Sequence, residues 1–278
     1  MKVRFWGVRG SFAMSGREFL RYGGNTPCVE LQTDDGQRLV IDLGTGATEL
    51  AKSLMGTALG KGTGELPILL THTHLDHIQG LPFFTPFFLE GNHISIHGVD
   101  PDGTSLEATL QNQLAPHYSP LGGLENLSAH VSIEAFQPGD RLALGPFKIR
   151  TAAMPHATMR TTAFRIEADG KVVTFLSDVE YPDPEAPDPQ AVALAMGADL
   201  LIHDAMHPDD EYDLRRGWGH SPVCAGIAVA TAALCKRLAL FHHSPDATDD
   251  QIDALVASAQ AQTSIPLFAA AEGSYVEI

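Results

Sequence analysis

The chain is poor in cysteine, in basic side chains and in long apolar runs, and each shortage excludes something. Its 278 residues include three cysteines, Cys28, Cys224 and Cys235, with no CxxC pair. Such a scattered, odd set fits a reducing compartment, and argues against a disulfide framework or a thiolate zinc site. The three read as small packed hydrophobes. Eighteen Lys and Arg stand against 34 Asp and Glu, a formal net charge of -16. A polyanion would approach against a repulsive field, so long nucleic acid is not the expected partner. The longest apolar stretch, Leu81 to Leu89, contains Pro82 and Pro86 and falls far short of the ~20 residues that span a bilayer. Met1 to Gly10 alternates and carries charge throughout, which reads as a first strand and not as a signal peptide. The expectation is a cytoplasmic protein that engages no membrane.

What is present is globular. With 44% apolar and 19% charged residues, the chain can bury a large core in one domain, 1–278, and no linker divides it. The first forty residues alternate strand-like runs with glycine turns, through CVELQT, an Asp35-Gly36 hairpin turn and LVIDLG. A helical pattern covers Ala47 to Leu59, and Pro67 to Thr71 (PILLT) is nearly all apolar, as in a strand covered on both faces. Residues 81–140 are less regular and read as a lid-like insertion around one helix at Thr104 to Gln113. A hairpin, TAFRIEA and KVVTFL, turns at Asp169-Gly170. The proline-rich, acidic stretch Tyr181 to Gln190 reads as an exposed loop. Helical and strand runs then alternate through Ala191–Met196, LLIHDA, Pro222–Cys235, RLALFH, Asp249–Gln262, PLFAA and SYVEI.

Residues 72–77 read His-Thr-His-Leu-Asp-His, directly after PILLT. Chance would place HxHxDH about 0.002 times in a chain of this composition. In an extended segment His72 and His74 point to the same side, whereas the adjacent Asp76 and His77 diverge where the chain turns away. One short segment can therefore serve two ions. Imidazole and carboxylate suit zinc or manganese, with iron also acceptable, and two ions about 4 Å apart can hold a bridging hydroxide and clamp a phosphoryl or carbonyl oxygen. The remaining ligands should end later strands, where His156, Asp178 and His242 stand.

These residues resemble the metallo-β-lactamase superfamily, whose pattern is HxHxDH followed by His, Asp and His at strand ends of an αββα sandwich, two mixed sheets flanked by helices. The resemblance covers essentially the whole chain. It implies that His72, His74 and His156 hold one metal, that Asp76, His77 and His242 hold the second, and that Asp178 bridges them. Asp at 178 is unlike the zinc β-lactamases that carry a thiolate there. The segment GHSPVCAGIAVATAALCKRLALFHHSP is similar to the GHST-helix-strand-THxS segment of ribonuclease Z and related phosphodiesterases. That alignment selects His242, although the doubled histidine leaves a shift to His243 open. WGVRGS, GGNTPCVEL and IDLGTG resemble a bacterial group of cyclic-phosphodiesterase-like hydrolases.

The implied activity is hydrolysis of a small phosphodiester, such as a cyclic nucleotide or cyclic phosphate, by a metal-bridging hydroxide that attacks phosphorus in line. Asp76 would bind metal and orient the hydroxide. His220, which matches the histidine of the GHST segment, would meet the substrate phosphate and protonate the leaving group, with Asp204 as its acidic partner. Asn25, in the GGNTPC loop, and His117, in the suspected lid, are the further substrate contacts. Ribonuclease Z carries its RNA-gripping arm between the third-His strand and the bridging Asp, and residues 157–177 hold one hairpin and no arm. The alternatives are hydrolysis of a thioester, lactone or lactam carbonyl, and a metal-bound sensor that turns nothing over. No macromolecular partner beyond a homodimer is expected. Among the bland features, the acidic run at Asp209–Asp213 reads as a solvated loop, and Arg215-Arg216 beside it could steer an anion. Gly44-Thr45-Gly46 lacks the lysine of a phosphate loop and reads as a turn near the metals.

Overall fold

The computed structural model describes all 278 residues. In chain order the first half forms β1 (Lys2–Gly7), β2 (Cys28–Gln32), β3 (Arg38–Ile41), α1 (Ala47–Leu54), β4 (Glu65–Leu69), α2 (Leu75–Ile78), β5 (His93–Gly98), α3 (Leu106–Gln113) and β6 (His130–Ala135). The second half forms β7 (Arg141–Leu144), β8 (Phe147–His156), β9 (Met159–Ala168), β10 (Lys171–Leu176), α4 (Pro189–Ala195), β11 (Leu200–Asp204), α5 (Val223–Ala232), β12 (Leu238–Phe241), α6 (Asp249–Gln262), β13 (Leu267–Ala269) and β14 (Tyr275–Glu277).

Two seven-stranded sheets result, ordered β14-β1-β2-β3-β4-β5-β6 and β13-β12-β11-β10-β9-β8-β7. Each sheet is mixed. Strands β3 to β6 run parallel, as do β10 to β13, while the remaining neighbours are antiparallel. Period-2 patterning decides which side chains meet. Phe5, Leu31 and Ile41 from one sheet pack against Phe164, Phe175 and Phe241 from the other. On the first sheet's outer face, Ile68, Ile94 and Ile96 meet Leu50, Leu54 and Leu110 of α1 and α3. On the second sheet's outer face, Leu201, Leu238 and Leu240 meet Leu194 of α4, Ile227 of α5 and Ala259 of α6. The architecture is the expected αββα sandwich, and no helix is long and apolar enough to cross a membrane.

Local sequence accounts for several boundaries. Asp169 and Gly170 both take positive φ (52° and 69°), the backbone a two-residue hairpin between β9 and β10 demands. Thr248 opens α6 through a reciprocal capping box with Gln251. Helix α1 stops at Leu54, short of Leu59, and a separate single turn follows at Leu59–Lys61 because Gly56 interrupts the helical run.

Residues 81–140 need correction as an insertion. They supply β5 and β6, which extend the first sheet in register, with Ile94 and Ile96 buried and His93 pairing His130. The strand of HISIHG is short and half polar, so its alternation is masked by the proline- and glycine-rich turns around it. Within them the longest stretch outside the sheets runs between β5 and β6, and its Gln113 amide donates to the Ile78 carbonyl of α2 at 2.7 Å.

Candidate metal centre

The segment after β4 delivers the histidines as its spacing predicts. Thr71 to His74 is extended, and the rings of His72 and His74 lie 4.4 Å apart, centroid to centroid. His156, the last residue of β8, brings its Nε2 to 3.2 Å from Nδ1 of His74. The chain then turns into α2, which swings Asp76 and His77 into a second group with Asp178 and His242. In that group His77 Nε2 is 3.3 Å from Asp76 and 3.2 Å from Asp178, and His242 Nε2 is 3.4 Å and 3.2 Å from the same carboxylates. Asp178 faces both groups, with Oδ2 toward His77 and Oδ1 4.0 Å from His156 Nε2. All seven expected ligands are brought together.

The donors fit two divalent ions. Buried Nε2 atoms of His72 and His77 have no hydrogen-bond partner in the protein, an expensive state that a metal would relieve. The opposite nitrogens are anchored. Nδ1 of His77 meets Asp42 at 2.8 Å, Nδ1 of His156 meets the Gly219 carbonyl at 2.7 Å, and Nδ1 of His72 meets Thr71 Oγ1 at 3.1 Å. Each contact fixes a ring so that its free lone pair points inward. A set of imidazoles and carboxylates without thiolate belongs to zinc, manganese or iron chemistry, and none of the three cysteines joins it.

Backbone strain aims the side chains. Asp42, Asp178 and His242 each follow a strand, and each has left-handed φ, 62°, 57° and 59°. Asp and His tolerate that region better than most residues, and its use concentrates at functional sites. The doubled histidine is resolved by the same turn: His242 faces the carboxylates, whereas His243 Nε2 meets the Ala270 carbonyl at 2.8 Å. Two glycines allow close approach. A Cβ on Gly10 would lie 2.4 Å from His242 Nδ1, and one on Gly219 2.5 Å from His156 Nδ1. Gly44 to Gly46 forms the anticipated turn, tied by reciprocal 2.8 Å bonds in which the Thr26 and Thr45 amides each donate to the other's hydroxyl.

His220 sits beside this cluster, stacked on His242 with ring centroids 4.9 Å apart. Its Nδ1 is 2.9 Å from Asp204 Oδ2. Burial opposes a charge on His220, but Asp204, Asp178 and Asp76 outweigh it and push its pKa up to about 9. Asp204, at the end of β11, is fully buried and also accepts from the amides of Asp178, Met206 and Ser221. Burial raises the Asp178 carboxyl, but His242 and His77 outweigh it and hold it well below the usual carboxylate range.

Three supporting residues escaped the sequence reading. Asp42, inside IDLGTG, orients His77. Glu180, two residues after Asp178, accepts from the amides of Gly217 and Gly219 at 2.5 and 2.7 Å and from the Tyr212 hydroxyl at 2.9 Å. The Ser11 amide donates to Asp76 Oδ2 at 2.9 Å. Position after a strand was a usable signal for Asp42 alone. Asn25 is not brought to the cluster by its side chain, which donates to Glu272 at 2.5 Å in a cleft with Trp6, Met14 and Phe19. His117 is exposed on the turn after α3, on the stretch tethered to α2.

Seven converging donors, at a strand end or on the loops and short helix that follow strands of an αββα sandwich, define a metallo-β-lactamase-fold hydrolase. The chain belongs to this family: residues 38–243 match the Beta-lactamase superfamily domain. Among curated proteins it is similar to ribonuclease Z of Haloferax volcanii, 27% identical over 291 aligned positions that cover 88% of this chain and 84% of that one. Among solved structures it resembles the metallo-β-lactamase fold protein YhfI from Bacillus subtilis, at 23% identity and a TM-score of 0.72, covering 100% and 99% of the two chains. Zinc-bound PqqB from Methylobacterium extorquens shares the fold at 15% identity and a TM-score of 0.73, with 100% of both chains covered.

Proposed function

We propose that this protein is a dinuclear metal-dependent phosphodiesterase that acts on small phosphodiesters, cyclic nucleotides and cyclic phosphates among them. The observation that carries this reading is the Asp204–His220 pair, 2.9 Å apart, beside the seven-ligand cluster. An alkoxide expelled from phosphorus needs a proton, and an imidazolium at the cluster is placed to give one. A thioester, whose thiolate leaves without a proton, would have no such use for that pair.

His72, His74 and His156 would hold one ion, Asp76, His77 and His242 the other, and Asp178 would face both. When bound, the ions supply Lewis-acid neutralisation of charge on the non-bridging phosphoryl oxygens and activation of water. The protein's own residues do the rest. Asp76, fixed by the Ser11 amide, would bind metal and keep the attacking oxygen directed at phosphorus. His220 donates its Nε2 proton to the departing ester oxygen, and Asp204 holds Nδ1 so that Nε2 faces outward. The similarity to ribonuclease Z supports phosphodiester chemistry. Small substrates are favoured because residues 157–177 are used up by the turn after β8, by β9 and by β10, which leaves nothing to grip a folded RNA, and because the net charge is -16.

The test is a substrate panel on metal-loaded protein: bis-p-nitrophenyl phosphate, p-nitrophenyl phosphate, nitrocefin, a glutathione thioester, and 2′,3′- and 3′,5′-cyclic nucleotides. The diesters should be cleaved far faster than the rest. Preference for the lactam or thioester would move the assignment to carbonyl hydrolysis, and silence on every compound would point to a sensor.

A further inference from the structure

The loop between β11 and α5 carries a feature that the chemistry above does not use. Trp218 is 58% exposed, although aromatic surface of this size is normally covered. The Arg215 guanidinium lies over its ring, 4.9 Å from the centroid. Arg215 makes neither an ion pair nor a side-chain hydrogen bond, while its neighbour Arg216 is neutralised by Asp213 at 3.0 Å. In a chain of net charge -16, a cation without an anionic partner, in the loop that carries His220, is notable on electrostatic grounds alone.

The position of Trp218 is set rigidly. Gly217 and Gly219, on either side, both donate their amides to Glu180. The Gly219 carbonyl accepts from His156 Nδ1, and the Gly219 Cα packs so closely on that ring that no side chain fits. The indole is therefore attached one residue from the backbone that seats a metal-ligand histidine and two residues from His220. Its backbone is fixed, and its side chain is more than half exposed.

We propose that Trp218 and Arg215 form the subsite for the nucleobase of a nucleotide-type phosphodiester, the base stacking on the indole and the guanidinium reinforcing that stack through its cation–π contact. This rests on the phosphodiesterase reading and narrows its substrates to esters that carry a planar base.

Two esters with the same leaving group and the same single charge test it: thymidine 5′-(p-nitrophenyl phosphate) and methyl p-nitrophenyl phosphate. Trp218→Ala should lower kcat/KM about tenfold on the thymidine ester, mainly through KM, and change the methyl ester less than twofold. Trp218→Phe should restore most of the loss, and Arg215→Gln should lose about threefold on the thymidine ester only. Equal losses on both esters, or no loss on either, would overturn the subsite.

A second readout does not need turnover. The chain has two tryptophans, and Trp6 is buried with its indole N–H donating to Glu30. Indole fluorescence that is quenched by adenosine 5′-monophosphate, unaffected by ribose 5-phosphate and insensitive to both in Trp218→Phe is the expected pattern. If neither ester is hydrolysed but this pattern holds, the subsite stands and the phosphodiesterase reading fails. Equal quenching by the base-free phosphate, or none by either, sinks the subsite itself.

Discussion

Asp42 and His77 are joined by a 2.8 Å contact between Oδ2 and Nδ1, and both side chains are wholly excluded from solvent. The carboxylate holds the imidazole in one tautomer and turns its Nε2 toward Asp76 and Asp178, the arrangement expected of a metal-ligating histidine and its supporting acid. Asp42 also accepts from the amide and hydroxyl of Thr71, next to His72. Wild-type protein should bind close to two transition-metal ions per chain by elemental analysis. Asp42→Ala should weaken retention about 10- to 100-fold in a chelator competition, and Asp42→Asn, which keeps an acceptor and tolerates the left-handed backbone, should weaken it less. An unaltered chelator titration for Asp42→Ala would refute this supporting role.

Glu180 organises the loop that carries His220. Its carboxylate takes two amides and a hydroxyl, and charged hydrogen bonds of this kind contribute about 1.5–3 kcal/mol each where they are buried. Part of the group is solvent-accessible, so Glu180→Ala should cost about 2 kcal/mol in a denaturant titration and lower kcat by more than tenfold, through displacement of His220 and Gly219. Glu180→Gln should lie between the two. Unchanged stability and kinetics in Glu180→Ala would show that the loop is held by other contacts.

Leaving-group chemistry separates the roles of His220. His220→Ala should keep its metal, lose about 100-fold or more on a cyclic nucleotide, and lose much less on an activated nitrophenyl diester, whose leaving group needs no proton. Asp204→Asn should show the same split more weakly. Because Asp204 also accepts from three backbone amides, its substitution should lower the melting temperature as well. Equal losses on both substrates would reassign His220 to phosphate binding.

His207 sets part of the acid sensitivity. Burial, only partly offset by Asp204, lowers its pKa to about 4, below the ordinary histidine value of about 6.5. Its neutral form is the folded one, so the stability it contributes is complete above pH 6.5 and is lost as pH falls toward 4. Between pH 7 and pH 5 the melting temperature of the metal-loaded wild type should fall more steeply than that of His207→Gln. Parallel curves for the two proteins would remove His207 from the acid transition.

Much of this was legible before any coordinates. HxHxDH after an apolar strand is a local signal, because its residue types and spacing act within six consecutive residues; the apolar runs marked strands and helices along the chain, and the αββα order followed from the family resemblance those motifs carry. The later ligands could be nominated because His156, Asp178 and His242 each end an apolar run. Sequence could not show which nitrogen of each ring faces inward, nor that His242 and not His243 does so. Those outcomes depend on the left-handed turns after β10 and β12 and on the register of parallel strands that pair residues far apart in the chain. The same holds for Asp42, Glu180 and the Gly219 carbonyl, single polar groups with no periodicity to mark them. Asn25 was misplaced for the complementary reason: its loop runs beside the cluster, but Glu272, nearly the whole chain away, captures its amide. The motifs, through the resemblance they carry, determined the fold class and the metal-binding chemistry, while tertiary packing decided orientation, because a lone pair is aimed by the contact on the other side of its ring.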